Sequence, residues 1–368
     1  MVTLVTGGAG FIGSQVVDQL VAAGRHVRVL DLLHPGAHGC VPGYLRDDVE
    51  YVWGDLRDPA VVEGALTGVD AVSHQAAMVG LGTDFADITD YVSHNDLGTA
   101  TLLGAMHAVG FRGRLVLASS MVVYGEGGYV CGVHGVVHPA PRSRERLELG
   151  DFEVRCPRCG EPLESRSVPE SALLDPRNVY AATKLHQEHL CAIFGREHGV
   201  PVTALRYHNV YGPRMPASTP YAGVASLFRS ALERGEAPRV FEDGGQLRDF
   251  VHVDDVARAN VAALTVDGPV DGPVNIASGH PCSVLAMAEA VASAFGPAAL
   301  PPVVTGDFRA GDVRHVFAAT DRARDALGFL ASVHPRDGLQ QFAHDPLRVP
   351  IGFDSDRARP VVRGGAVI

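Results

Sequence analysis

The sequence predicts an α/β protein, a doubly wound parallel sheet with a smaller α+β lobe attached. Three observations predict it. Short apolar runs at 2–5, 27–30, Glu50–Trp53, 69–73 and 115–119 alternate with helical stretches over short connections, the pattern of a parallel sheet covered by helices. A glycine-rich turn, Thr6-Gly7-Gly8-Ala9-Gly10-Phe11-Ile12-Gly13, joins the first run to the first helix. At 368 residues the chain can bury a large core and is long enough for two lobes.

Taken in order, the first strand (2–5) runs into that turn, and Ile12, Val16, Val17, Leu20 and Val21 then recur at helical spacing until Gly24 can end the helix. Glycines at 7, 10 and 13 suit a tight turn, close approach of backbone to a pyrophosphate, and close helix–strand packing, with phosphates resting on the helix N-terminus. Such a triplet also marks a plain tight turn; the flanking strand, helix and acid decide for a dinucleotide. That acid is Asp31, eighteen residues after Gly13 at the end of the second strand, where a carboxylate accepts from both hydroxyls of an adenosine ribose and repels a 2′-phosphate. The expected cofactor is NAD rather than NADP.

The third strand, Glu50–Trp53, ends in Gly54-Asp55-Leu56, where Asp55 either meets the adenine amino group or forms an ordinary turn. The fourth strand, 69–73, runs into His74-Gln75-Ala76-Ala77, small residues that let a strand end lie against a ligand. Asn95, Gly98 and Thr99 open a further helix, and the fifth strand, 115–119, ends at Ser119-Ser120-Met121-Val122-Val123-Tyr124-Gly125. Doubly wound sheets bind ligands at the carboxyl ends of their strands, and the glycine turn, residues 74–77 and Ser120 all fall there. The sheet is thus of the Rossmann kind.

Tyr180-Ala181-Ala182-Thr183-Lys184 begins a helix running to about His198, with Gly199 as its stop. Residues four apart share a helical face, so Tyr180 and Lys184 point the same way. A phenol with a pKa near 10 is a poor base at neutral pH, but an adjacent ammonium and a positive nicotinamide ring both favour the phenolate. The pair is expected to be a general base for a sugar hydroxyl, with Ser120 bonding the same oxygen.

Composition excludes several classes. With 31 Lys and Arg against 42 Asp and Glu the formal net charge is −11, which argues against nucleic acid or an anionic membrane as partner. No stretch approaches the roughly 18 apolar residues of a membrane span, and the N-terminus opens into a strand without a signal-peptide pattern, so a cytoplasmic protein is expected. Six cysteines in so long a chain are no disulfide framework.

Over roughly residues 2 to 330 these motifs resemble the extended short-chain dehydrogenases/reductases, in particular the nucleotide-sugar epimerases and dehydratases. Carrying the resemblance are the glycine turn, Asp31, Gly54-Asp55-Leu56, His74-Gln75-Ala76-Ala77, the stretch from Ser119 to Gly125, and the helix start at Tyr180 and Lys184. Leu205-Arg206-Tyr207-His208-Asn209-Val210-Tyr211-Gly212-Pro213 and Arg248-Asp249-Phe250-Val251-His252-Val253-Asp254-Asp255 add to it. The resemblance implies a catalytic triad of Ser120, Tyr180 and Lys184. It implies cofactor contacts at Gly7, Gly10, Phe11, Ile12, Gly13, Asp31, Asp55, Leu56, Gln75, Ala76, Ala77 and Asn95, besides Tyr180 and Lys184. Asn209 would touch the nucleotide sugar, and Arg248 with Arg309 would bind its diphosphate, which wants guanidinium forks; a surface ion pair is the other reading of either arginine.

The implied reaction is C4 epimerisation of a nucleotide-activated hexose with tightly held NAD, through a transient 4-keto sugar. A 4-ketosugar reductase, a sugar-acid decarboxylase and a non-enzymatic NAD-sensing regulator are the rivals. Sugar 4,6-dehydratases carry an Asp-Glu pair where this chain has Met121-Val122, so elimination is not expected. His208 and Gln75 also depart from the family and by analogy face the cofactor. The resemblance further implies a homodimer through the helices starting near Asn95 and Tyr180. Leu185, Leu190, Ile193 and Phe194 offer apolar surface for it, or else pack into the core.

Ser120 and Tyr180 stand 60 positions apart where the family commonly spends two to three dozen. The insert carries Cys131-Gly132-Val133-His134 and Cys156-Pro157-Arg158-Cys159-Gly160, and Cys131, His134, Cys156 and Cys159 suit one tetrahedral zinc ion; a reducible disulfide or free thiols are the alternatives. A similar cysteine-bearing insert occurs in some epimerases of dTDP-deoxysugars, of the dTDP-L-rhamnose 4-epimerase type. Between the pairs lie 21 residues of polar character with little apolar content for a core. From 139 to 166 six arginines meet six acids, so the insert lacks the basic excess of a nucleic-acid finger and is expected to be a structural flap. The expected organisation is a cofactor domain at 1–209, with the flap at 128–168 and a return at about 249–277. A substrate lobe at 210–248 and 278–346 follows, using the loop 214–222, the helix 223–234 and the run 241–248. A Pro-, Arg- and Gly-rich tail at 347–368 lies over the surface or is partly disordered.

Overall fold

A computed structural model describes residues 1–38, 40–80, 85–217 and 223–348. Most of the expected tail, and residues 218–222 of the loop 214–222, lie outside the described residues. Seven strands form the central sheet: β1 (Val2–Thr6), β2 (His26–Asp31), β3 (Glu50–Trp53), β4 (Val69–His74), β5 (Arg114–Ser120), β6 (Val202–Tyr207) and β7 (Gly272–Ile276). Their order is β3-β2-β1-β4-β5-β6-β7 and every pairing is parallel. The order reverses between β1 and β4, which opens a crevice at their carboxyl ends.

The pleat sorts side chains two ways. Leu4, Leu30, Val72, Leu115 and Leu117 face the helices Gly98–Ala108 and Val179–His198 through Leu102, Met106, Cys191 and Phe194. Val5, Val29, Ala71, Val116 and Leu205 face Phe11–Ala22 and Val253–Thr265 through Val16, Leu20, Val256 and Leu264. A strand apolar at successive positions is what two covered faces require. A third core, with Tyr211, Met215, Phe228, Phe250, Met287, Leu339 and Phe342, belongs to the smaller lobe of helices Val224–Glu233, Val284–Ala294 and Pro335–Phe342. Leu347 still packs against that core, and the Arg348 N–H donates to the Met215 carbonyl.

Three expectations are corrected. The helix expected to open at Asn95 begins at Ile88, and Val92–Leu97 is a π-helical segment leading into Gly98–Ala108. Phe194 is buried and Leu190 packs beside it, while Leu185 packs against Val123 and Tyr124, so of the four residues named for a dimer face Ile193 alone is exposed, at 44%. The insert does have apolar content of its own: a three-stranded antiparallel sheet (Gly128–Cys131 between Gly135–Val137 and Glu164–Arg166) covers a small core of Tyr129, Cys131, Val137, Val154, Cys156 and Leu163. Two of those six are candidate metal ligands, so the core and the knuckle are one unit. No helix among the described residues is long and apolar enough to cross a membrane.

Candidate functional site

The glycine turn sits at the carboxyl end of β1, and each glycine has its own reason. Gly7 adopts φ +67° with Ala76 against it; a Cβ there would lie 2.7 Å from the Ala76 backbone. A Cβ on Gly13 would meet the Gly7 carbonyl oxygen at 2.1 Å, so the helix can start this close only without a side chain. At Gly10 a Cβ would meet only the Gly7 oxygen, at 3.2 Å, and the rest of its surroundings are open. Gly10 caps Phe11–Ala22 with no side-chain bond, and the first N–H groups of the helix, at Phe11, Ile12 and Gly13, have no bonded partner among the described residues and suit an anion.

Asp31 is nearly buried at the end of β2, where Oδ2 accepts the Ala9 N–H at 2.9 Å and Oδ1 the Leu33 N–H at 2.8 Å. One bond to each oxygen leaves acceptor capacity on both for a ribose diol. Asp55 takes its turn-forming alternative: it accepts the Arg57 backbone N–H at 2.9 Å and its carboxylate is paired with Arg57 Nη2 at 2.6 Å, which holds it below the usual carboxylate range. The Leu56 side chain is buried against Gly98.

At the end of β4, His74 is buried between Thr6 Oγ1 (2.7 Å) and Thr99 Oγ1 (2.9 Å), and burial pushes its pKa down to about 3, so it is a neutral tie between strand and helix. Gln75 spends its side chain on Ser73, Tyr207 and Asn260, at 2.9, 3.1 and 2.9 Å. A polar residue there is stable because two strands and a helix supply partners. Ala76 and Ala77 continue along the turn, with the Ala76 N–H donating to Thr6 Oγ1 at 3.2 Å. Asn95 Oδ1 accepts from Met78 N–H at 2.7 Å, and Nδ2 donates to Met78 O and Thr183 Oγ1, both at 3.0 Å. The wide π turn thus ties the strand end to the helix that carries Tyr180 and Lys184.

Tyr180 lies one residue inside Val179–His198, whose N-cap Asn178 accepts the Ala181 N–H at 2.8 Å. Its phenol lies beside Ser120, at the end of β5, which favours the phenolate, and its ring lies 6.1 Å from that of Tyr91. Lys184 is buried, donates to the Ala118 carbonyl at 2.8 Å and keeps its Nζ 5.9 Å from the centre of the Tyr180 ring. Burial acts on the two in opposite senses, raising the phenol above its ordinary value and lowering the ammonium to about 8. The expected depression of the phenol is therefore not a property of these side chains alone: Ser120 lowers it, and burial outweighs Ser120.

Behind this pair, Glu188 one turn on is clamped by Arg206 of β6 (Nη2 to Oε2 2.7 Å, Nε to Oε1 2.9 Å) and by Ser119 Oγ. Arg206 Nη1 also donates to Tyr124 OH at 2.9 Å. This buried fork fixes the helix against β5 and β6; Arg206 falls in the motif that begins at Leu205, whereas Glu188 carries no local signal that would mark it in the sequence.

Past β6, His208 is buried with its pKa lowered to about 3, and the buried Asn209 side-chain oxygen has no partner among the described residues. An unpartnered buried acceptor beside a strand end suits a ligand hydroxyl or amide. Arg248 Nη1 donates to the carbonyls of Leu247 and Arg314, both at 2.8 Å, and Nη2 to that of Val313 at 2.6 Å. Three of five N–H groups are used, and the Nε–H with one Nη2 proton remain. Arg309 is exposed and stacks on Phe241, 5.4 Å from the ring centre. Both arginines act on the Asp312 carboxyl, which burial pushes up and they pull down.

In the insert, the ligand atoms of Cys131, His134, Cys156 and Cys159 all lie within 4.8 Å of one another. Cys131 Sγ and Cys156 Sγ are each 3.5 Å from His134 Nδ1, and Cys131 Sγ is 3.7 Å from Cys159 Sγ. All six cysteines are free thiols.

The sequence profile described as the NAD dependent epimerase/dehydratase family matches residues 3–143 and 156–277; the unmatched residues 144–155 lie inside the insert. dTDP-L-rhamnose 4-epimerase of Burkholderia thailandensis is 34% identical over 333 residues, 89% of this chain and 89% of that protein. UDP-N-acetyl-alpha-D-glucosaminuronate decarboxylase of Bacillus cytotoxicus is 30% identical over 287 residues, 78% of each. Among solved structures, UDP-glucose 4-epimerase of Thermus thermophilus in complex with NAD superposes with a TM-score of 0.72 at 30% identity, covering 93% of this chain and 98% of that one.

Proposed function

The chain belongs to the NAD dependent epimerase/dehydratase family, and from that premise we propose that it interconverts C4 epimers of a nucleotide-activated hexose, a dTDP-deoxyhexose, with a retained NAD. The observation that carries this reading is the Tyr180 phenol beside Ser120 at the end of β5, with buried Lys184 one helical turn behind it. When bound, NAD takes the hydrogen from C4 as hydride and returns it. Gly7, Gly10 and Gly13 let the backbone approach its pyrophosphate, Phe11 and Ile12 offer N–H groups, and Asp31 accepts the adenosine ribose. Tyr180 removes the proton of the 4-hydroxyl and gives it back, and Ser120 steadies the same oxygen. A bound nicotinamide cation would add to the charge of the Lys184 ammonium and so would favour the Tyr180 phenolate. Asn209 and Arg248, with Arg309, hold the nucleotide sugar in the lobe formed by 210–248 and 278–346. Because hydride leaves and returns, the reaction needs no added reductant.

The decarboxylase relative favours one second reading, loss of CO2 from a sugar acid. Product analysis separates the two: epimerisation conserves mass and decarboxylation does not.

The knuckle fits a structural zinc ion. Zn–S bonds of about 2.3 Å in a tetrahedron place sulfurs roughly 3.8 Å apart, and the 3.7 Å Cys131–Cys159 separation agrees. Four protein ligands leave no position for water, so the ion takes no part in the reaction. Stoichiometric zinc that is lost in Cys156→Ser is the expected elemental analysis; metal-free protein with an ordered insert would rule the ion out.

A homodimer is supported by exposed Leu97, Ala100 and Gly104 on one helix and by a face of Ala182, His186, His189 and Ile193 on the neighbouring one. Six reduced thiols and a diffusible nucleotide substrate fit a cytoplasmic enzyme.

A further inference from the structure

The insert is joined to the substrate lobe by a charge network in which Arg142, Glu242, Arg314 and Glu126 are buried, while Glu153 and Asp243 are about half exposed. Arg142, from the insert, pairs with Glu242 of the lobe at 2.8 Å, their side chains 5% and 2% exposed. Arg314 meets the same Glu242 at 3.0 Å, Asp243 at 2.7 Å, and Glu153 of the insert. Glu126, at the root of the insert, accepts the Arg314 backbone N–H at 3.0 Å and the Tyr129 hydroxyl at 3.2 Å. Desolvating this many charges is expensive, and apolar packing would join two lobes as firmly, so the arrangement calls for a reason other than stability.

The reason lies in what Arg314 carries. Its carbonyl, with that of Val313, holds the Arg248 guanidinium. The chain from 313 to 319 runs between Arg248 and the two ends of the insert. Val316 N–H donates to Leu247 O at 3.1 Å, Gly127 N–H to His315 O at 3.0 Å, His315 N–H to the Tyr129 hydroxyl at 3.1 Å, and Val168 N–H to Phe317 O at 2.8 Å. Insert, strap and arginine are therefore in series. We propose that Arg314, braced by Glu153 directly and by Arg142 through the shared Glu242, is a positioning residue through which the insert aims Arg248 at the diphosphate of the nucleotide sugar.

The proposal rests on the reading that Arg248 holds that diphosphate. With three N–H groups fixed on carbonyls, the guanidinium cannot rotate, and its remaining Nε–H and Nη2–H edge has the spacing of two phosphate oxygens. A shift of the 313–314 carbonyls turns that edge away without touching the Tyr180 end of the site.

The test is calorimetric binding of dTDP and of UDP to the NAD-loaded protein, with steady-state kinetics alongside. Arg314→Met keeps the carbonyl and removes the brace; it is expected to weaken nucleoside diphosphate binding and raise KM by roughly ten- to a hundredfold, with kcat within about threefold and NAD content unchanged. Arg314→Lys should recover part of the affinity, which a generic loss of stability would not predict. Glu153→Gln, at a half-exposed position, removes one brace with little risk to folding and is expected to shift affinity the same way. Wild-type affinity in both Arg314→Met and Glu153→Gln, or a fall in kcat with KM unmoved, would overturn the proposal. Arg248→Met identifies which step fails: if it too binds like wild type, the diphosphate reading falls and the relay with it, whereas weak binding by Arg248→Met beside normal binding by Arg314→Met sinks the relay alone.

Discussion

Replacing Tyr180 by Phe deletes one oxygen and leaves the ring in place beside Tyr91. For folding the loss is at most the worth of one hydrogen bond, about 1 kcal/mol. A chain of 368 residues unfolds with an entropy near 0.8 kcal/mol/K at roughly 2.1 cal/mol/K per residue, so the melting temperature should move by only about 1–2 °C. For the reaction the loss is the group that moves the 4-hydroxyl proton, which is ordinarily worth about 10²- to 10⁴-fold, or roughly 3–5 kcal/mol of barrier. The two magnitudes are far enough apart that unfolding cannot imitate the catalytic effect. Turnover followed by NMR at saturating nucleotide sugar, with NAD released by denaturation and quantified by absorbance, reads both. Turnover within threefold of wild type, or NAD content falling in step with activity, would refute the assignment of Tyr180 as the proton-transfer group.

Further outcomes follow from other parts of the molecule. Gly13→Ala places a Cβ 2.1 Å from the Gly7 oxygen and should displace the helix start, so the purified variant is expected to carry less than about a tenth of the wild-type NAD; Gly64→Ala, in a helix with nothing within 4 Å, should keep it all. Lys184 has its pKa lowered to about 8 against an ordinary 10.5, so the folded state holds the proton less well than the unfolded chain. Its cost to folding, of order 3 kcal/mol, is present in full below about pH 8 and is relieved as pH rises toward 10.5. Melting curves from pH 7 to 10 should therefore show a stabilising trend in wild type that Lys184→Met lacks; parallel curves would contradict it. Ile193→Glu puts a charge on the exposed face and should give a monomer by light scattering at micromolar concentration, where wild type gives a dimer.

The parts legible in the sequence are those fixed by neighbours along the chain. The glycine turn needs only its own residues and the strand beside it. The inner strands show because both faces are apolar, and the facing of Tyr180 and Lys184 follows from helical spacing alone. What could not be read is set by distant partners. Gln75 finds its place through Asn260, 185 residues away, and Arg142 through Glu242, 100 residues away. The helix start at Ile88 was hidden because the π turn at Val92–Leu97 breaks the 3.6 period that marks a helix. Polarity also misled for the insert, whose core uses two of the cysteines that spacing assigns to the metal.

The central claim, that hydride leaves C4 and returns within one active site, is tested most directly by incubating the protein as purified, without added cofactor, with a panel of dTDP- and UDP-hexoses and reading the products by NMR. The account predicts a C4 epimer of at least one dTDP-deoxyhexose, formed to equilibrium from either side with no NADH accumulating. A product that forms only in proportion to added NADH, or with release of CO2, would contradict it.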